Sequence, residues 1–533
     1  MLAVLFAFDK ALALLRQVII ARQFGLSPEL DAFNAANNLP DLLFALISGG
    51  ALAVAFIPVL TSVLTNEGRK ASWLLFSRIA NLAFLVTALF SLIFFLLADK
   101  LVGWEMGIAP GFTSEQQIVV IRLMRLNLIA TLIFSLSGLV MAGLQANQHF
   151  LLPALAPIFY NSGQIFGALI LAPADGYQIS GFQLPAAGLG VDGLVYGVIL
   201  GAALHLLIQV PGLIKFQFHW TAGLGFQDAA VRKVLSLLGP RVLTMLLIQL
   251  IFIVRDNLAS RLEAGAVTAL AYGWMIQQVP ETLIGTAIGT AMLPTLAELV
   301  TLDKKEEFQR NIRNAVNVLI GLTVPVAFIF SVGLLPYFPT IFGFDEQGSQ
   351  LLMWVTRGYL LGLTGHCLLE VAARAFYSQQ NARIPLFAAV VNILLYISIG
   401  SLLFKPFGAP GISLTDALAF TAQAVFLLFM LAWQTKPWFQ KSLGSIFLKR
   451  VVKDADGTTD TGKFVFPVIL NPGGVLLRSV LAGLLGAILT YGSLQLFARL
   501  SLHPVIAATV SILIGVAGAL PFVFKEARTL LRL

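Results

Sequence analysis

Residues Trp73 to Ala98 read WLLFSRIANLAFLVTALFSLIFFLLA, a run whose only charge is Arg78. A helix crosses the hydrocarbon core of a bilayer with about 20 mostly apolar residues. This run is long enough, and it lacks the period-two alternation of a membrane barrel strand. The same reading extends along the chain to candidate spans near 2–24, 32–64, 73–98, 116–146, 150–173, 186–214, 238–262, 266–300, 310–336, 349–379, 384–404, 411–435, 475–498 and 502–524. The first apolar segment carries Asp9, Lys10 and Arg16 and has no small-residue cleavage site, so it reads as a span rather than a leader.

Composition agrees. Of 533 residues, 58% are hydrophobic and 11% charged, and mean hydropathy is +0.88. A soluble domain carries roughly 25% charged residues. Too few charges remain to cover a soluble core, which excludes a soluble enzyme, a secreted disulfide scaffold and a disordered chain. The lone Cys367 excludes a disulfide framework and a thiolate zinc site. The fold class is therefore an all-α polytopic membrane protein of about fourteen transmembrane helices.

With both termini inside, the outer loops hold Arg22, Lys100, Arg261, Lys405 and Arg499, while the inner loops hold most of the remaining Lys and Arg. That asymmetry follows the positive-inside rule. Because the basic residues are spread over many loops, the net charge of +8 does not point to nucleic acid. The polar stretch 436–474 reads as a cytoplasmic loop. Residues 224–238, with Arg232 and Lys233, read as a short amphipathic segment on the inner membrane surface.

Enzyme motifs are missing. Gly188-Leu189-Gly190-Val191-Asp192-Gly193 matches a dinucleotide fingerprint in letters only, since it lies at a turn into a membrane helix and not inside a βαβ unit. His366-Cys367 has no second ligand pair at metal spacing, so neither a metal nor a cofactor is expected. The informative residues are charges inside spans, each costing about 2.5–3.5 kcal/mol at the bilayer centre on insertion scales. They are Asp9, Lys10, Arg16, Asp31, Asp41, Arg122, Arg125, Arg241, Arg255, Asp256, Glu281, Arg357, Glu370 and Arg374. Some read as local pairs, notably Arg255 with Asp256 and Glu370 with Arg374. The cations gather in the first eight spans, which suits an anionic substrate.

Leu14–Pro58, LLRQVIIARQFGLSPELDAFNAANNLPDLLFALISGGALAVAFIP, resembles the opening pattern of the MurJ (MviN) lipid II flippase family in the MOP transporter superfamily. So do AGLQANQHFLLPALAPIFYN (142–161), GVDGLVYGVILGAALHLLIQVP (190–211), VPETLIGTAIGTAMLPTLA (279–297) and AFYSQQNARIP (375–385). The resemblance implies two six-helix lobes, 1–214 and 238–435, joined by a linker at 215–237. After the loop 436–474 come two extra helices in 475–533. It implies a bacterial inner-membrane transporter with no cofactor that moves lipid II, an undecaprenyl diphosphate, by alternating access. Its partners would be that lipid-linked diphosphate, membrane lipids and cell-wall synthesis enzymes. A flippase for another undecaprenyl-diphosphate-linked polysaccharide and a non-transporting cell-wall scaffold are the alternatives.

Carried over by position, the substrate residues would be Lys10, Arg16 and Asp31. Arg255, standing where the family has an acid, could replace a lost cation. Two basic positions of the family are Phe44 and Met275 here. The family's sodium site would map to Asn392, Thr415 and Asp416. Lys10 and Arg16 are six residues apart, about 240° net around a helix, so a straight helix would not bring them to one face.

Overall fold

The computed structural model describes residues 2–48, 50–179, 181–433 and 473–530. The chain forms two compact units, Met1–Thr268 with Phe342–Phe344, and Ala269–Ile341 with Asp345–Leu533. Among the described residues, each expected span falls on a helix or on a run of helical pieces. Among the described residues, ten helices are long and apolar enough to cross a membrane. The span count rises above ten because Arg383–Trp433 is two helices joined across Gly408 (φ +62°). Three further spans are too charged or too broken to meet that standard.

In the first unit, α1 (Leu2–Phe24) is an uninterrupted helix. The next span is built in pieces: α2 (Pro28–Ala36), α3 (Asn38–Leu43), a π turn Phe44–Ser48 and α4 (Gly50–Asn66). Ser27 caps α2 by accepting from the Leu30 N–H, and Pro28 at the first helical position has no N–H to orphan. Then come α5 (Arg69–Gly103), α6 (Ser114–Ala146) and α7 (Leu151–Phe166), which runs into a π turn at Gly167–Leu171. A two-residue-per-strand hairpin, Gln178–Ile179 with Phe182–Gln183, leads to α8 (Val191–Leu207), short α9 (Val210–Lys215) and α10 (Ala229–Ala259).

Glycine sets the packing of α7 on α8. A Cβ on Gly163 would lie 2.4 Å from the Gly201 Cα, and one on Gly167 would lie 2.6 Å from the Gly197 Cα. Gly193, the last glycine of the fingerprint-like string, would meet Ala172 N at 2.5 Å. Small residues at four-residue spacing let two membrane helices touch backbone to backbone, and here they assign that string a packing role.

One expectation is corrected. Residues 229–238 are not a surface helix but the first turns of α10. Asp228 caps them by accepting from the Ala230 N–H and is paired with Arg78. Val231 and Val234 are fully buried in a core with Phe56, Val59, Leu60 and Phe76. The apolar side of the segment faces protein rather than lipid.

The second unit contains α11 (Ala266–Pro280, most of its length), a π turn Glu281–Thr286, α12 (Ala287–Thr301), α13 (Lys305–Gly333), α14 (Glu346–Ser378) and the broken α15 (Arg383–Trp433). The last helices are α16 (Gly473–Arg499) and α17 (Pro504–Leu530), which pack on each other and on α13. The expected 436–474 loop lies almost wholly outside the described residues. The core of this unit joins Ile288, Met292 and Leu296 of α12 to Leu363, Cys367 and Val371 of α14 and Leu427 of α15.

Candidate functional site

Arg16 and Asp9 are seven residues apart on α1, about 700°, or 20° short of two full turns. They therefore share a face, and one side chain meets both. Asn161 of α7 accepts from Arg16 Nη1 at 3.0 Å and donates through Nδ2 to Asp9 Oδ1 at 2.8 Å. Asp9 and Asn161 are buried and Arg16 is half-buried. The amide thus fixes a guanidinium at a set depth while satisfying a carboxylate that would be costly alone in an apolar setting. Lys10, six residues from Arg16 and so about 240° around the continuous helix, lies off this face and is exposed.

Asp31 is a strut within the first unit. Its carboxylate, 1% exposed, accepts from the Gly265 N–H at 2.6 Å, the Thr268 N–H at 2.7 Å and the Thr268 hydroxyl at 2.6 Å. It satisfies donors at the start of α11, a favoured position for a carboxylate, and its hydrogen-bonding capacity is engaged there.

Arg255 is buried. Its Nε donates to Asp256 Oδ1 at 2.7 Å and its guanidinium lies 5.1 Å from the Phe252 ring centroid. Asn38 Nδ2 donates to the other Asp256 oxygen at 2.8 Å. The pairing of Arg255 with Asp256 expected from sequence is present. Phe44, one of the lost basic positions, packs edge-on against Phe134 with centroids 5.1 Å apart. Arg122 and Arg125 pair with Asp192 at 2.8 Å and Asp99 at 2.9 Å.

In the second unit the three carried-over ion-site residues are all buried, but their hydrogen bonds go to different partners. Asn392 Nδ2 donates to Gln423 Oε1 at 2.5 Å, Thr415 donates to the Gly411 carbonyl at 2.8 Å, and Asp416 Oδ1 lies 2.8 Å from His366 Nε2. Among the described residues no group of three or more His, Cys, Asp and Glu side chains is placed to hold a metal ion. Glu370 and Arg374 form the expected pair.

Sequence reading missed Asn161, Asn38 and the partnership of His366. Asn161 closes the string 142–161 and was visible as an amide after the apolar run 150–160; the other two had no local signal.

The profile of the family described as "Lipid II flippase MurJ" matches residues 20–454. The chain belongs to the MurJ family. Among the relatives, the lipid II flippase MurJ of Burkholderia cenocepacia is 27% identical over 446 residues, covering 82% of this chain and 83% of that protein. The probable lipid II flippase MurJ of Thermotoga maritima is 26% identical over 457 residues, covering 84% and 86%. A solved lipid II flippase MurJ in an inward closed conformation superposes with a TM-score of 0.73 at 19% identity, covering 99% of each chain. An inward-facing MATE family transporter of the MOP superfamily superposes at 0.66 and 13% identity, covering 80% of this chain and 94% of that one. At those identities the two structures speak to the fold alone. Within the MurJ family, the chain is a multi-pass protein with the MOP architecture.

Proposed function

We propose that the protein is a lipid II flippase of the bacterial inner membrane, carrying the undecaprenyl-diphosphate-linked precursor from the inner to the outer leaflet by alternating access. The observation that carries the reading is membership of the MurJ family over most of the chain. The local chemistry supports it. Arg16 is a guanidinium inside a span, hydrogen-bonded to an amide that also holds Asp9. A guanidinium can meet phosphate oxygens through two parallel N–H bonds. Lys10, exposed on another face of α1, offers a second cation at a different depth. Outward movement of an anion is favoured by a negative-inside potential, by about 2.3 kcal/mol per charge per 100 mV.

Both termini and the 436–474 loop are cytoplasmic in this proposal, lobes 1–214 and 238–435 are the moving bodies, and membrane lipids and cell-wall synthesis enzymes are its neighbours. Cargo is recognised through its diphosphate, with no catalytic step. Phe44 and Met275 at the family's basic positions favour one second reading, a different glycan on the same undecaprenyl diphosphate. Rescue of cells depleted of their own lipid II flippase tests the first reading. Failure to rescue with normal membrane expression, together with flipping of another lipid-linked diphosphate sugar in liposomes, supports the second.

A further inference from the structure

His366 of α14 is 3% exposed, and its ring is clamped. Phe420 stacks on it with centroids 4.3 Å apart, and Trp274 meets it edge-on at 5.3 Å. Its Nε2 faces Asp416 Oδ1 of α15 at 2.8 Å. The two helices pack backbone to backbone beside this pair. A Cβ on Gly362 would lie 2.6 Å from the Ala417 Cα, and one on Gly365 would lie 2.8 Å from the Thr421 Cα. Glu281 stands on the π turn that packs on the same stretch of α14, where a Cβ on Gly285 would lie 2.9 Å from the Cys367 Cα. The Glu281 Oε2 atom is enclosed, and the amide of Gln277 on α11 lies beside its carboxyl group.

The titratable groups around His366 come from several elements. α15 presents Asp416, the π turn presents Glu281, and α14 itself carries Cys367 and Glu370, the latter paired with Arg374. Glu281, Glu370 and Asp416 all lie near enough for their charges to act on the imidazole. α11 contributes Trp274, and α13 contributes Thr323, hydrogen-bonded to Thr364. Once Glu370 and Arg374 cancel, two carboxylates and one imidazole share an apolar enclosure. With the imidazole neutral and both carboxylates ionised they would hold two negative charges. Uncompensated charge at that depth is expensive, so the number of bound protons must follow the site's access to water.

We propose that His366, Asp416 and Glu281 form a proton-binding site, and that this proton is the ion exchanged for cargo. The inference rests on the flippase reading. A proton binds from water on one side of the membrane and returns to water on the other. Only N–H and O–H bonds form and break, and no other reactant is needed. Asp416 is thereby reassigned from a sodium ligand to the acceptor of an imidazole proton. Because binding at two sites that bias one conformational equilibrium is reciprocal, cargo binding must shift the proton occupancy of the site.

The test uses the full-length protein in liposomes containing pyranine, with membrane potential clamped at zero and fluorescent lipid II as the probe. Flipping should be accompanied by a change in lumenal pH. A one-unit pH gradient should alter the steady-state cargo distribution by up to tenfold for one proton per cargo. His366→Gln and Asp416→Asn should bind lipid II yet lose both effects. Wild-type flipping without proton movement or gradient response, or with a response to sodium in its place, overturns the proton site and leaves the flippase reading standing. A wild-type protein that neither flips lipid II nor rescues depleted cells overturns that reading, and the coupling with it. A second measurement is free of transport and of any one variant's folding. In detergent, lipid II should release or take up protons from the wild type and not from Glu281→Gln; equal proton exchange by both overturns the proposal.

Discussion

Asp31→Ala should unpin the start of α11. The carboxylate satisfies two buried backbone N–H groups, those of Gly265 and Thr268, as well as the Thr268 hydroxyl. The hydroxyl is further tied to Asn34, whose Nδ2 donates to it at 3.0 Å. Removing the acceptor leaves two enclosed backbone donors, each costing about 1–3 kcal/mol, so the loss is about 2–6 kcal/mol. For a body the size of the first unit, each kcal/mol lowers the melting midpoint by about 2–4 °C. The Ala variant should therefore melt at least about 4 °C lower in detergent, followed by size-exclusion recovery after heating. Asp31→Asn, which keeps one carbonyl oxygen, should fall between the two. Transport per folded molecule should change much less than yield. Unaltered melting of Asp31→Ala together with lost flipping would refute the strut and return Asp31 to the cargo or ion machinery.

Asn161→Leu should leave insertion intact but release Arg16 and deprive Asp9 of its donor, at a cost of about 1–3 kcal/mol; rescue of depleted cells should fail, as it should for Arg16→Ala, and full rescue by either variant at normal expression removes that residue from the cargo path. Gly197→Leu should separate α7 from α8, because even a Cβ there would lie 2.8 Å from the Gly167 Cα; overpacking of this kind costs about 1–3 kcal/mol or more, read as a lowered melting midpoint and reduced membrane yield. Topology is checked with Gly457→Cys and Asp345→Cys in a Cys367→Ala background. An impermeant reagent applied to intact cells should label the second and spare the first, and labelling at 457 contradicts cytoplasmic termini.

The spans were legible because length and apolarity are local properties. The start of α10 was not, since an amphipathic pattern looks the same whether its apolar side meets lipid or, like Val231 and Val234, a protein core. Asp31 was legible as an acid at the mouth of a span, but its partners Gly265 and Thr268 are far away in sequence, at the start of another helix. The resemblance pointed to Asp416 together with Asn392 and Thr415, but no local pattern linked it to His366. Its hydrogen-bond partner sits on α14, next to the one cysteine, where the two residues together read only as a failed metal motif. The helical arithmetic used for Lys10 and Arg16, applied to Asp9 and Arg16, would have placed the latter two on one face of α1.

The π turns carry a consequence for how such chains gain and lose residues. Phe44–Ser48, Gly167–Leu171 and Glu281–Thr286 each close with one residue more than an α turn. The i→i+5 bond stands where a regular helix would have its i→i+4 bond, so the widened turn absorbs the extra residue and the helix beyond it keeps its phase. In α12 the stripe Ile288, Met292, Leu296 and Leu299 accordingly stays buried. Deleting one residue between 281 and 286 would let the segment close as a regular α-helix with that stripe still inward, whereas a deletion within α12 would rotate whatever follows it by about 100°. A one-residue deletion in a π turn should therefore lower membrane yield less than one elsewhere in the same span. Length differences between related chains should gather at these turns.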